Sequence, residues 1–476
     1  MSQKTALSLK FAPDDYLVTW RLPSTKGGTF AAHGALTVAA GQPPMGVAHG
    51  EFYHVLETMT GGGFGFPQSV EVPALIGSMS NGANVVLVDA RVEYWLPNQA
   101  RITAAAAVIT LADVSDTEEA RFASFKIQIS GLDAVTGVSP IRRTNFPEKG
   151  AAGTWSAELR SDFEQEWCDA EASMTLTYYG SFRSFDPFAF RMGFSPVLEC
   201  ELLNAVSLHR LLDEWINPLR RVISVATGRS ETITFLSVCS KIESDRGRDG
   251  QLFGSGITQD PYESTQEGVI KVNSPLRLKT QEISLLDLVR TWQGLMVAHH
   301  PLIETYGSML HTADQHPRSR FLLLLQAIEG TYGHETRESF TRRQKKHDDL
   351  RGEIIGLVRE SLDGGQLKFL ERNLGKRPPG GLENAINWLA KRLPGDVRKT
   401  LESTDLVAAV KAEPVKARNS ADALRIIRNN LAHGTKGYDD FELRGVVRVL
   451  ELIVRANALQ LLGCPEAVIC RVLEAS

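Results

Sequence analysis

Near the end of this 476-residue chain stands Arg428-Asn429-Asn430-Leu431-Ala432-His433-Gly434, an arginine and an amide followed by a histidine. Histidine titrates near neutral pH and moves protons; arginine is a fixed cation whose planar fork suits phosphate. Together they are the components of a site that breaks a phosphodiester. His433 would shift the proton and Arg428 would hold the developing negative charge. If the attacking group is a 2′-hydroxyl, the substrate is RNA and DNA survives.

These residues need a helix to carry them. Asn419 with Asp422 three positions later resembles a capping box, and Gly434 stands where a helix ends in a left-handed residue. Leu424, Ile427 and Leu431 form an apolar stripe, while Arg425, Arg428, Asn429 and His433 collect on another side. Asn429 and His433 are helical neighbours, but Arg428 and His433 stand about 140° apart around the axis. Arginine's reach, a loosened last turn or a second copy of the helix would complete the site. A homodimer is the favoured expectation.

An arginine followed by asparagine, three residues and a histidine is similar to the signature of the HEPN superfamily of metal-independent ribonucleases. Further residues extend the likeness: Arg318-Ser319-Arg320-Phe321 leads into Leu322–Leu325, Gln326, Ala327, Ile328 and Glu329, which resembles the opening helix of ApeA-like HEPN proteins. Trp292, Pro301 and Tyr306 resemble the approach to that helix. The likeness covers roughly the last third of the chain, and the region before it more weakly. It implies Arg428 and His433 as a catalytic pair, Asn429 as the polar residue after the arginine, and Glu329 facing the motif from the first helix. It also implies an antiphage or abortive-infection ribonuclease that needs no cofactor and no metal. The competing class is a non-catalytic module that binds RNA, a nucleotide or a protein. A metal-dependent nuclease is disfavoured, because no acidic cluster has convincing spacing for divalent ions.

Other motifs carry less. Gly61-Gly62-Gly63-Phe64-Gly65 lacks the lysine and spacing of a phosphate loop, and Gly254-Ser255-Gly256 is one residue short of a nucleophile elbow. His299 and His300 are adjacent and make a poor metal pair. Basic residues cluster at Arg342, Arg343, Lys345 and Lys346 and at Lys376-Arg377, where with Arg425 they are candidates to track an RNA backbone; a solvated helix face is the blander reading.

The expected fold is α+β and multidomain. Short β-rich runs punctuated by Gly, Pro and Asn, such as Tyr16–Trp20, Asn84–Val88, Ala100–Leu111 and Phe122–Ile129, predict a sandwich or distorted barrel. The spacing predicts a helix from Leu198 to about Ala226, interrupted at Pro218, then strands over Thr232–Ser240 and Gly268–Val272. Residues 1–284 form a β-rich region for sensing or interaction, with a phage-derived activator as its expected partner. Residues 285–317 are a helical linker and 318–476 an all-α bundle, with Phe441–Leu462 at its centre. A net charge of −4 gives no global attraction to nucleic acid, so an RNA surface must be local. Five cysteines without zinc or disulfide spacing, no signal peptide and no membrane-spanning run predict a cytoplasmic protein with no membrane partner.

Overall fold

The computed structural model describes the chain except residues 1–6, 59–61, 64, 113–120, 146–152, 154–155, 187–188, 240–248, 313–314, 376–380, 414–416 and 475–476, and gives no side-chain surroundings for 183–190. It divides into two compact units: residues 1–227 with 231–289, and 228–230 with 290–476. The first is β-rich and the second helical. The segment 285–317 is shared between them, with 285–289 in the first and 290–317 in the second.

The β-rich unit is built on a six-stranded barrel. Strand β5 (Asn84–Leu96) pairs antiparallel with β4 (Gln68–Met79), and the order runs on through β1 (Asp14–Pro23), β2 (Thr29–Val38), β3 (Met45–His49) and β6 (Gln99–Thr103). β6 returns to β5 and closes the ring. Alternation explains the core: Val18, Trp20 and Leu22 on β1 are buried while Leu17 and Arg21 are exposed. The Trp20 indole fills the barrel, and its Nε1 donates to the Val47 carbonyl at 3.1 Å. Gly77 makes room for it, since a Cβ there would lie 2.4 Å from Val18 and 2.8 Å from the indole.

β5 joins the barrel to the rest of the same 13-stranded sheet. Its second half pairs with β6, while Asn84–Val88 pairs with β7 (Ala106–Thr110). From β7 the sheet continues through β15 (Asp249–Gly254), β14 (Ile233–Cys239), β8 (Arg121–Ile129), β13 (Ala189–Ser207), β12 (Ala172–Asp186) and β11 (Gln165–Cys168). A separate hairpin joins β9 (Ile141–Asn145) and β10 (Ser156–Leu159).

Two expectations fail here. Leu198–Ser207 is strand, the end of β13; helix begins only at Leu208 and runs, through a π-helical turn, to Thr227. The apolar spacing of Leu198, Leu202 and Val206 fits both periods, and pairing with β8 and β12 decides for strand. Gln266–Val272 is a helix, because the Thr265 hydroxyl caps it by accepting from the Gly268 N–H at 3.1 Å. The glycine run leads into β4 rather than a helix, which removes any phosphate-loop context; Gly61 and Phe64 lie outside the described residues.

In the helical unit three helices matter most. The opening helix is Pro317–Glu335, the motif helix Ser420–His433 and the central helix Asp440–Leu461. The opening helix buries Phe321, Leu324, Leu325 and Ile328, one face at helical spacing, and the central helix buries Leu443, Val446, Leu450, Ile453 and Val454. Trp292 and Tyr306 are buried in the same unit. Among the described residues no helix is long and apolar enough to cross a membrane.

Candidate active site

The motif helix starts and stops where its caps dictate. The Asn419 side chain accepts from the Asp422 N–H at 2.9 Å, while the Asp422 carboxylate accepts from the Arg418 N–H at 3.2 Å. The reciprocal half of the expected capping box is thus displaced by one residue. At the other end Gly434 has φ 68°, and its N–H and that of Thr435 donate to the Asn430 carbonyl. Asn430 also fixes the exit turn with its side chain, donating to the Tyr438 hydroxyl at 2.7 Å and accepting from Thr435 at 3.1 Å. Inside, Leu424, Ile427 and Leu431 are buried as their spacing predicts.

Arg428 reaches the opening helix. Its Nη2 lies 3.0 Å from Glu329 Oε2, with the two side chains 42% and 25% exposed. Glu329 therefore faces the motif. The two arginines of the opening helix itself are engaged elsewhere: Arg320 pairs with Glu451 of the central helix, and the Arg318 guanidinium donates to the Leu431 carbonyl. Arg318 thus sits at the carbonyl end of the motif helix, where a cation is favoured.

His433 and Asn429 are exposed, and His433 makes no hydrogen bond or ion pair among the described residues. Because Ser420–His433 is regular α-helix, the last turn is not loosened and Arg428 and His433 keep their separation of about 140° around the axis. One chain therefore presents the two groups on different sides of the same helix.

No protein family model matches this chain, and no curated protein matches it.

The expected RNA-contacting residues divide. Arg342, Lys345 and Lys346 are exposed on the helix Arg337–Val358, but Arg343 donates to the Tyr332 hydroxyl at 3.1 Å. Arg425 is held by Asp422 at 2.6 Å within its own helix. Lys376 and Arg377 lie outside the described residues. Sequence reasoning missed the Arg318 contact, which spans 113 positions and leaves no local signal, and the role of Tyr438. None of the five cysteines forms a disulfide among the described residues.

The adjacent histidines do not act as a pair: His300 is buried, and its ring centroid lies 4.6 Å from that of His334 at the end of the opening helix. In the β-rich unit a cleft is lined by Asp133, Tyr178, Ser264 and Arg277 among others. Burial pushes the Asp133 carboxyl above the usual carboxylate range, and pushes the Tyr178 phenol up as well.

Proposed function

We propose that the helical unit is a metal-independent endoribonuclease of HEPN type, acting in the cytoplasm in antiphage defence by abortive infection. The observation that carries this reading is the pairing of Glu329 with Arg428 on a helix that ends in an exposed His433, Arg428 and His433 standing at the two positions of the motif. A phosphate arriving at Arg428 meets a guanidinium already aimed by a carboxylate, which lowers the cost of orienting it. His433, which has no hydrogen-bond or ion-pair partner among the described residues, takes the proton from the RNA 2′-hydroxyl as that oxygen attacks the adjacent phosphorus. The P–O5′ bond breaks, the 5′-oxygen takes up a proton from solvent and leaves as a hydroxyl, and the other product carries a 2′,3′-cyclic phosphate. Arg428 neutralises the charge that builds on the phosphoryl oxygens.

The angular separation of Arg428 and His433 supports a homodimer, in which each chain contributes one member of a composite site. It equally favours the second reading, a module that binds RNA or a partner without cutting, if the chain stays single.

The test is total cellular RNA incubated with wild type and His433→Ala in excess EDTA. Cleavage by wild type alone, leaving cyclic phosphate ends and falling by about 10²–10⁴-fold in the variant, is expected. Cleavage that persists undiminished in His433→Ala overturns the assignment.

A nuclease acting on cellular RNA must be restrained, and the β-rich unit is the part available to restrain it until an infection cue arrives. Expression of residues 290–476 alone should be more toxic to the host than the full chain. A stable, harmless fragment counts against restraint.

A further inference from the structure

The turn before Pro301 meets the end of the opening helix at a cluster that the ribonuclease chemistry leaves unused. Gly330 permits the approach: a Cβ built there would lie 2.9 Å from Pro301 Cβ, so any side chain would push the turn away. One turn further along the helix, His334 and Glu335 stand against His300. His300 Nε2 lies 3.5 Å and His334 Nδ1 3.9 Å from the same carboxylate oxygen, Glu335 Oε1. Donor atoms from all three residues lie within 4.8 Å of one another. His300 is 1% exposed, and neither His300 Nε2 nor His334 Nδ1 makes a hydrogen bond among the described residues. Two buried nitrogens and one carboxylate oxygen converging without hydrogen bonds between them is an arrangement that a bound ion satisfies.

We propose that His300, His334 and Glu335 form a binding site for a divalent transition metal of the zinc class, clamping the 300–301 turn to the opening helix. Two imidazole nitrogens and one carboxylate oxygen are a borderline-soft donor set that suits zinc rather than calcium or magnesium, which prefer all-oxygen shells. Zinc bonds of about 2.0–2.2 Å place tetrahedral donors roughly 3.3–3.5 Å apart, so the 3.5 Å separation already fits, while the 3.9 Å one and that between the two imidazole nitrogens, within 4.8 Å, close by rotation of the His334 side chain. The fourth position is left for water. Arg392 orients the carboxylate from behind: its Nη1 lies 3.4 Å from Glu335 Oε2, which leaves Oε1 facing the imidazoles.

Loading has a structural signature. In the chain as described, the Leu302 N–H donates to His300 Nδ1 at 3.2 Å, which places the proton of the neutral ring on Nε2. A metal at Nε2 requires that proton on Nδ1, so binding exchanges the Leu302 hydrogen bond for a metal bond. No proton is gained or lost, and the Leu302 amide loses its acceptor.

This inference does not rest on the ribonuclease reading, and its test measures binding rather than cleavage. The full chain, stripped with chelator and dialysed, is titrated with Co²⁺ and then Zn²⁺ while the visible spectrum is followed. One equivalent of Co²⁺ with the intense bands of a tetrahedral site, displaced by Zn²⁺, is expected. His334→Gln and Glu335→Gln, both at partly exposed positions, should each weaken binding at least about tenfold, taking ligand loss to cost no less than the 10–100-fold of an outer-shell change. His299→Gln should leave binding unchanged. Amide exchange at Leu302 should quicken on loading. Failure of wild type to take up either metal, or uptake of equal affinity in His334→Gln and Glu335→Gln, the mark of an adventitious ion only, overturns the proposal. If His334→Gln does not fold by circular dichroism, the Glu335→Gln result decides.

Discussion

The two units use polar side chains in opposite ways. In the β-rich unit the buried amides serve backbone. Gln251 accepts from the Phe11 N–H at 3.2 Å and donates to the Phe11 carbonyl at 2.6 Å; Gln259 donates to the Leu236 and Leu252 carbonyls; and Gln128 donates to those of Pro196 and Tyr262. In the helical unit the charged groups serve one another across helix seams, as in Arg428 with Glu329, Arg320 with Glu451 and Arg392 with Glu335. The reason lies in the backbone. A helix satisfies its own N–H and C=O groups except at its ends, whereas bulges and strand crossings leave orphans that side chains must meet. Groups not tied to backbone are the ones that can turn to a ligand, which is why the proposed chemistry is assigned to the helical unit.

That contrast can be broken by substitution. The largest effect on folding is expected at Trp20, whose truncation to alanine should cost about 3–5 kcal/mol in chemical denaturation by emptying the barrel. A loss below about 1 kcal/mol would mean that the barrel collapses onto the space and that packing there is loose. At the seam, Glu329→Gln should cost only about 0.2–1 kcal/mol, the range of a partly exposed ion pair. It should nevertheless lower cleavage, because Arg428 is no longer aimed. Equal losses of stability and of rate would reassign the pair to a merely structural role. The smallest effect concerns pH. Burial, with the His334 ring beside it, holds His300 below the ordinary imidazole value. Unfolded histidine takes up its proton near about pH 6.5, so this contribution to stability is complete above that pH and is lost as pH falls through the lower, folded value. Thermal melts of wild type and His300→Gln from neutral to mildly acidic pH check it: the gap between them should narrow with acid.

Much of the helical unit was legible because its signals are local. The caps at Asn419 and Gly434 and the stripe Leu424, Ile427, Leu431 fixed the motif helix, and Glu329 stands opposite Arg428 at 3.0 Å. Of the barrel strands, parts of β1 and β5 were readable from alternation and punctuation, whereas the single run Ala100–Leu111 is two strands, β6 and β7. The errors fall where one local pattern permits two periods: Leu198–Ser207 reads as helix until its neighbours β8 and β12 claim its backbone, and Gln266–Val272 reads as strand until Thr265 is seen as a cap. Arg318 and His334 were illegible for a different reason. Arg318 meets Leu431 across 113 positions and His334 meets His300 across 34, and no spacing in the chain encodes either meeting.

The strand shared by barrel and open sheet has a consequence for synthesis. The chain emerges from its amino terminus, so β1 to β6 can close a barrel while β7 has been made and β15 has not. β7 ends at Thr110 and its other neighbour begins at Asp249. Until then the Ala-Ala-Val-Ile-Thr run, buried at every residue in the finished molecule, is an uncovered apolar edge, the kind that recruits strands from other chains. A ribosome that stalls between those two points leaves a nascent protein with its most adhesive border showing.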